Sequence, residues 1–147
     1  MRNRNEIPAE LKWDFTHIFK TKEDWEKAYS EVESEISALS ALKGTLGESA
    51  DSLAKAYDTL FGFYEKFEPV ADYAFLKKTI DGGDSEAQAM GDRVNMLAVK
   101  ASSAAAFFDP ELMEIPEEKL AEFMKSDKMK KYAHIVEDAT RLRSHVL

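Results

Sequence analysis

With 147 residues, 44% of them hydrophobic and 11% aromatic, the chain has the size and make-up of one folded domain and is short for a two-domain enzyme. A formal net charge of −8 argues against nucleic-acid binding, which needs concentrated Lys and Arg to neutralise phosphates. The absence of cysteine removes disulfides, thiolate nucleophiles and Cys-based metal sites.

The opening, from Arg4 to Glu26, carries Trp13, Phe15, Ile18, Phe19 and Trp25 without helical or alternating period. It predicts an extended arm whose Trp13, Phe15 and Phe19 press onto a helical body. Thr21 is a good N-cap with Asp24 three residues on, and Trp25, Ala28, Tyr29, Val32, Ile36, Leu39 and Leu42 then recur at steps of three and four. That predicts a long first helix, ended by Gly44 and Gly47. Ser49 opens a second helix with Leu53, Tyr57, Leu60, Phe61, Tyr64 and Phe67 on its inner side. Pro69 lacks a backbone donor and predicts a kink or short break near Phe67-Glu68, after which Val70, Tyr73, Ala74 and Leu76 continue to about Ile80.

Asp81-Gly82-Gly83-Asp84 is the sharpest turn signal in the chain. A third helix is expected from Ser85 to about Phe107, with Ala87, Met90, Val94, Leu97, Ala98, Ala101, Ala105 and Phe108 inward. Asp109-Pro110 reads as an N-cap with Pro at the first helical position, and Pro116-Glu117-Glu118 repeats the signal for a short helix through Met124. A last helix is expected from Asp127 to Leu142, with Met129, Tyr132, Ile135, Val136, Ala139 and Leu142 inward. No stretch alternates with period two. The fold class is therefore all-α: an antiparallel bundle of about five to six helices with an extended N-terminal arm, residues 1–147 forming a single helical domain.

The residues offer little chemistry. A zinc site on a helix needs two His one turn apart, so that both reach one ion, with a Glu between them as base. His17 is followed four residues later by Thr21, His134 by Asp138, and His145 stands two residues from Leu147. A His134–Asp138 pair supplies two donors without a third and reads as a solvated polar pair. No Gly-x-Ser-x-Gly elbow is present, and Gly82-Gly83 follows no strand, so it is a turn rather than a phosphate loop. Lys128, Lys130 and Lys131 form a solvated basic face, and Glu117-Glu118 and Asp24-Glu26 sit in first turns, where carboxylates offset the helix dipole. Trp13 could serve as a stacking surface for a peptide or sugar; Trp25, on the apolar stripe, reads as core. The expected catalytic, cofactor-binding and metal residues are none. Met1 to Glu6 lead into no apolar run and no segment reaches the ~20 apolar residues of a membrane span, so a cytoplasmic protein without membrane partners is expected.

Several motifs, in order, resemble the oligoendopeptidase F branch of the thimet-oligopeptidase-like zinc metallopeptidases. They are Arg4-Asn5-Glu6-Ile7-Pro8 with Trp13-Asp14-Phe15, Ile18-Phe19 and Trp25-Glu26; Leu42-Lys43-Gly44-Thr45-Leu46 before Ser49; Tyr73-Ala74 with Asp81, Asp84 and Gln88; Phe107-Phe108-Asp109-Pro110-Glu111-Leu112; and Arg141-Leu142-Arg143-Ser144-His145-Val146-Leu147. The resemblance implies the N-terminal helical region of an all-helical endopeptidase acting on short peptides in a deep channel, which this region would help to wall. It implies zinc in the full-length parent, held by a His-Glu-x-x-His helix and a downstream Glu that lie after the point matching Leu147. No such ligand maps onto this chain, which is expected to be inactive alone. The apolar Val146-Leu147 ending fits a domain cut from a larger peptidase. The expected partners are the C-terminal catalytic domain, an oligopeptide substrate through it, and other copies of the chain through an exposed docking face. The alternative is a free-standing helical adaptor or peptide-binding module.

Overall fold

A computed structural model describes residues 6–141. Among them are six α-helices and no strand: α1 (Lys22–Ser40), α2 (Ala50–Ile80), α3 (Ser85–Ala105), α4 (Phe108–Glu114), α5 (Glu117–Phe123) and α6 (Ala133–Arg141). Short 3-10 turns lie at Ala9–Leu11, Phe15–His17 and Asp127–Tyr132. The all-α expectation is met. Contacts gather the described residues into two compact units, 6–34 with 64–99 and 35–63 with 100–141.

In the first unit, α1 starts on a reciprocal capping box: the Asp24 amide donates to Thr21 Oγ1 at 3.1 Å, and the Thr21 amide donates to Asp24 Oδ2 at 3.2 Å. Trp25, Tyr29 and Val32 are buried on its inner face. The Trp25 indole N–H donates to the Val70 carbonyl of α2 at 2.9 Å, satisfying a polar atom that complete burial would otherwise strand. The Asp81–Asp84 turn folds α3 back antiparallel to α2. Asp81 Oδ1 accepts the Gly83 amide at 2.9 Å, and Asp84 Oδ1 caps α3 by accepting the amides of Glu86 and Ala87. The ion pairs Lys22–Glu86 and Glu26–Arg93 advance together along α1 and α3, so those two helices run parallel.

The second unit holds a continuous apolar cluster from Leu42, Leu46, Leu53, Tyr57, Leu112, Leu120, Phe123, Met129 and Val136, among others. The rings of Tyr57, Phe61 and Tyr132 stack at 4.8–6.1 Å between centroids, with Phe108 tilted against Tyr57. Burial, with the Asp109 charge nearby, pushes the Tyr57 hydroxyl up to about 12.

Several expectations need correction. Helix α2 continues through Pro69 without a break; proline removes one donor but its φ suits a helix, and Val70, Tyr73 and Ala74 on the following turn are buried. Helix α4 begins at Phe108, not Pro110, with Phe107 as N-cap. Pro110 thus stands third in the helix, still among the positions whose N–H has no helical acceptor. Pro116 is itself the N-cap of α5. The expected last helix is a 3-10 segment, Asp127–Tyr132, followed by α6. Tyr64, Leu76 and Ile135, assigned inward, are exposed, whereas Phe63 is buried. Leu142 lies outside the described residues.

Candidate functional site

Two pairs of the sequence motifs meet in space, and each meeting is a structural clip. The first joins Leu42–Leu46 to Phe107–Leu112. Helix α1 stops at Ser40 and the chain turns through Gly44, whose φ of +86° is the left-handed conformation a side chain would resist. That turn presents two amides, Gly44 and Leu46, in one direction, while the Thr45 amide between them bonds back to the Leu42 carbonyl. Glu111, on α4, lays its carboxylate across them: Oε2 accepts the Gly44 amide at 2.8 Å and Oε1 the Leu46 amide at 2.7 Å. One carboxylate thereby satisfies two backbone N–H groups and leads the fully buried Leu46 into the core. An open cleft of about 670 Å³ borders the clip, with Lys43, Glu114, Ile115 and Lys119 on its walls.

A second clip joins the arm to Tyr73. Asp14 Oδ1 accepts the Thr16 amide at 2.9 Å and the Thr16 hydroxyl at 2.6 Å, and these bonds hold the Asp14 carboxyl below its usual range. They start the 3-10 turn that aims Phe15 inward. Phe15 and Phe19 meet the Tyr73 ring edge-on, with centroids 6.3 and 5.4 Å apart, and Lys77 lies over the same ring at 4.9 Å. Trp13 does not join them: it precedes the turn and is 80% exposed, contrary to expectation. Gln88 closes the Asp81–Asp84 turn by donating from Nε2 to the Gly82 carbonyl at 3.4 Å. Of the closing motif only Arg141 is described, 3.7 Å from Asp138; Arg143, His145, Val146 and Leu147 lie outside the described residues.

Arg93 forms a third clip that local reading of the chain overlooked. Its guanidinium grips Glu26 with two bonds of 2.7 Å and lies 5.0 Å from the Trp25 ring and 4.3 Å from the Tyr29 ring. The Tyr29 hydroxyl donates to the Arg93 carbonyl at 3.3 Å. The Arg93 hydrogen bonds hold the Glu26 carboxyl low and Arg93 itself high. A fourth lies in the second unit, where Asp58 accepts from both Lys131 and the Tyr132 hydroxyl, and Lys131 foremost holds its carboxyl low. Only partners 64 to 74 residues apart reveal these clusters.

The titratable groups do not converge on a metal. Among the described residues no three His, Asp or Glu side chains come together. His134 reaches Asp138 at 3.5 Å on the exposed face of α6, and His17 reaches Asp14 at 3.7 Å on the arm. Each is a two-donor pair, short of the three protein ligands a catalytic zinc needs.

The family model for Oligopeptidase F matches residues 111–147, from the clip carboxylate onward. Oligopeptidase PepF of Bacillus subtilis is 35% identical over 99% of this chain and 22% of its own length. A plasmid-encoded oligoendopeptidase F of Lactococcus lactis subsp. cremoris is 31% identical over 99% of this chain and 25% of its own. The crystal structure of oligoendopeptidase-F from Enterococcus faecium superimposes with a TM-score of 0.76 at 27% identity, covering 86% of this chain and 25% of that one. This chain corresponds to the N-terminal region of an oligoendopeptidase F-like peptidase.

The oligoendopeptidase F-like segment spans about a quarter of the length of the relatives it matches. A solved chain from Chlamydophila abortus shares its fold, with a TM-score of 0.84 over 99% of the segment. None of its described helices is long and apolar enough to cross a membrane. Of the motif residues, Gly44 and Leu46 with Glu111, Phe15 and Phe19 with Tyr73, Trp25 and Glu26, and the Asp81–Asp84 turn with Gln88 hold helices and turns in place.

Proposed function

We propose that residues 1–147 act as one non-catalytic helical domain of a cytoplasmic, oligoendopeptidase F-like zinc metalloendopeptidase. The full-length protein hydrolyses oligopeptides, and this part walls the channel through which they reach the metal. Its partner is the C-terminal catalytic domain of the same protein, and zinc belongs to that domain. The described residues of this chain do not fit the ion, since their donors pair in twos. The observation that carries the reading is the whole-chain match to a quarter of each relative, with the Gly44 and Glu111 motifs of this chain holding its helices together. The wall works by exclusion: rigid helices admit an extended peptide and reject a folded protein. Separated from its partner, the domain self-associates through exposed apolar residues such as Met96 and Val99, 64% and 66% exposed on α3.

The test is a peptidase assay of the purified 147-residue chain with added zinc. No turnover of an oligopeptide is expected; turnover abolished by a chelator would overturn the non-catalytic assignment.

A further inference from the structure

Helices α5 and α6 leave an apolar groove of about 540 Å³ between them. Leu120 and Val136, both nearly buried, form its floor, and Met124 is half-buried beside them. Its walls carry Ala121 and Ala133, both exposed and both small, so another backbone can come close. The groove asks for no hydrogen bond at Thr140, whose hydroxyl already donates to the Val136 carbonyl at 2.7 Å. Glu117, Glu137 and Arg141, all exposed, also line it, so an apolar floor with charged flanks suits an amphipathic helix.

Two observations name the occupant. The groove is built wholly from residues 117–141, within the stretch that the family model matches. Relatives that match this chain along its length continue for about three times as much sequence again. Thr140 and Arg141 line the groove, and six residues, 142–147, follow Arg141 in the sequence. Six residues reach at most about 20 Å, so polypeptide following that point starts within reach of the rim.

We infer that the α5–α6 groove seats an amphipathic helix from the part of the peptidase that follows residue 147 in its relatives. The inference rests on the proposed docking to a catalytic domain and adds where that docking begins. Leu120, Met124 and Val136 receive its apolar side chains, and Ala121 and Ala133 set how closely it approaches.

The chain lacks cysteine, so single reporters can be introduced as Ala121→Cys, Ala133→Cys and, on α3, Met96→Cys. Thiol labelling rates are compared between the 147-residue chain and a chimera in which this chain replaces the matching quarter of the Bacillus subtilis relative. The groove cysteines are expected to react about tenfold or more slowly in the chimera. If Met96→Cys is protected and the groove cysteines are not, the groove assignment fails while docking stands. If none is protected, both fail. Protection of the groove in the 147-residue chain alone, rising with its concentration, would make the occupant a second copy and also overturn the inference. Should the chimera be insoluble, a peptide copying the relative's sequence directly after the match, added in trans, gives the same readouts.

Discussion

Glu111 binds with both oxygens, and each answers a different amide. Removing its carboxylate leaves the Gly44 and Leu46 N–H groups without their partner, the Leu46 one partly buried. Glu111→Ala should therefore destabilise the chain by about 1–3 kcal/mol, read from urea unfolding. Glu111→Gln retains a single acceptor oxygen and should fall between the two. Equal midpoints for all three would show that water replaces the clip. Glu26 and Asp58 supply a pH test. Both carboxyls are held low in the folded chain, Glu26 by hydrogen bonds from Arg93 and Asp58 by Lys131 and Tyr132. Their contribution is complete above the ordinary carboxylate values of about 4 and is lost as pH falls through the lower folded values. The urea midpoint should accordingly drop on acidification from pH 6 to pH 3, and the double variant Glu26→Gln/Asp58→Asn should show a shallower drop. Parallel curves would remove these pairs from the acid response.

Elements differ in how far local chemistry dictates them. The start of α1 and the turn between α2 and α3 were legible because their determinants lie within three or four residues: Thr21 with Asp24, and Asp81 with Asp84. The stretch after Ser126 was not. Its apolar spacing suits an α-helix, yet Asp127–Tyr132 winds as a 3-10 segment with Lys128 bonded to Asp51 and Lys131 to Asp58 on α2. Those anchors, one helical turn apart on one side and two turns apart on the other, are visible only in three dimensions. The clips were hidden for the same reason: the sequence pointed to the Gly44 and Glu111 motifs separately, and nothing local joins them. Pro69 shows packing overriding propensity. A mid-helix proline costs about 3 kcal/mol, and α2 absorbs that cost. Pro69→Ala is expected to raise stability by about 1–3 kcal/mol in thermal or urea unfolding. A loss of stability instead would mean that the proline's restriction of the unfolded chain outweighs the hydrogen bond it forgoes at that turn.

For the whole molecule, the described residues bring no metal-binding donor set together and form several clips, which is what the proposed shape-holding part requires. On the proposed reading, the chain alone in solution exposes what a catalytic domain would cover. Met96 and Val99 lie one turn apart on α3, more than 60% exposed, in a chain in which 33% of residues are charged. Sedimentation velocity should show association growing with concentration, and Met96→Lys/Val99→Lys should return the chain to a monomer. A monomer at every concentration would remove this face from the docking account.

The two tryptophans were placed by the fold in opposite surroundings. Trp25 is sealed at 0% exposure with its indole tied to a carbonyl, and Trp13 stands 80% in solvent on the arm. Their emission therefore separates without any label. Iodide quenches the red-shifted glow of Trp13 by collision and leaves the blue component of Trp25 untouched, so a single cuvette distinguishes melting of the helical interior from a change confined to the chain's first twenty residues.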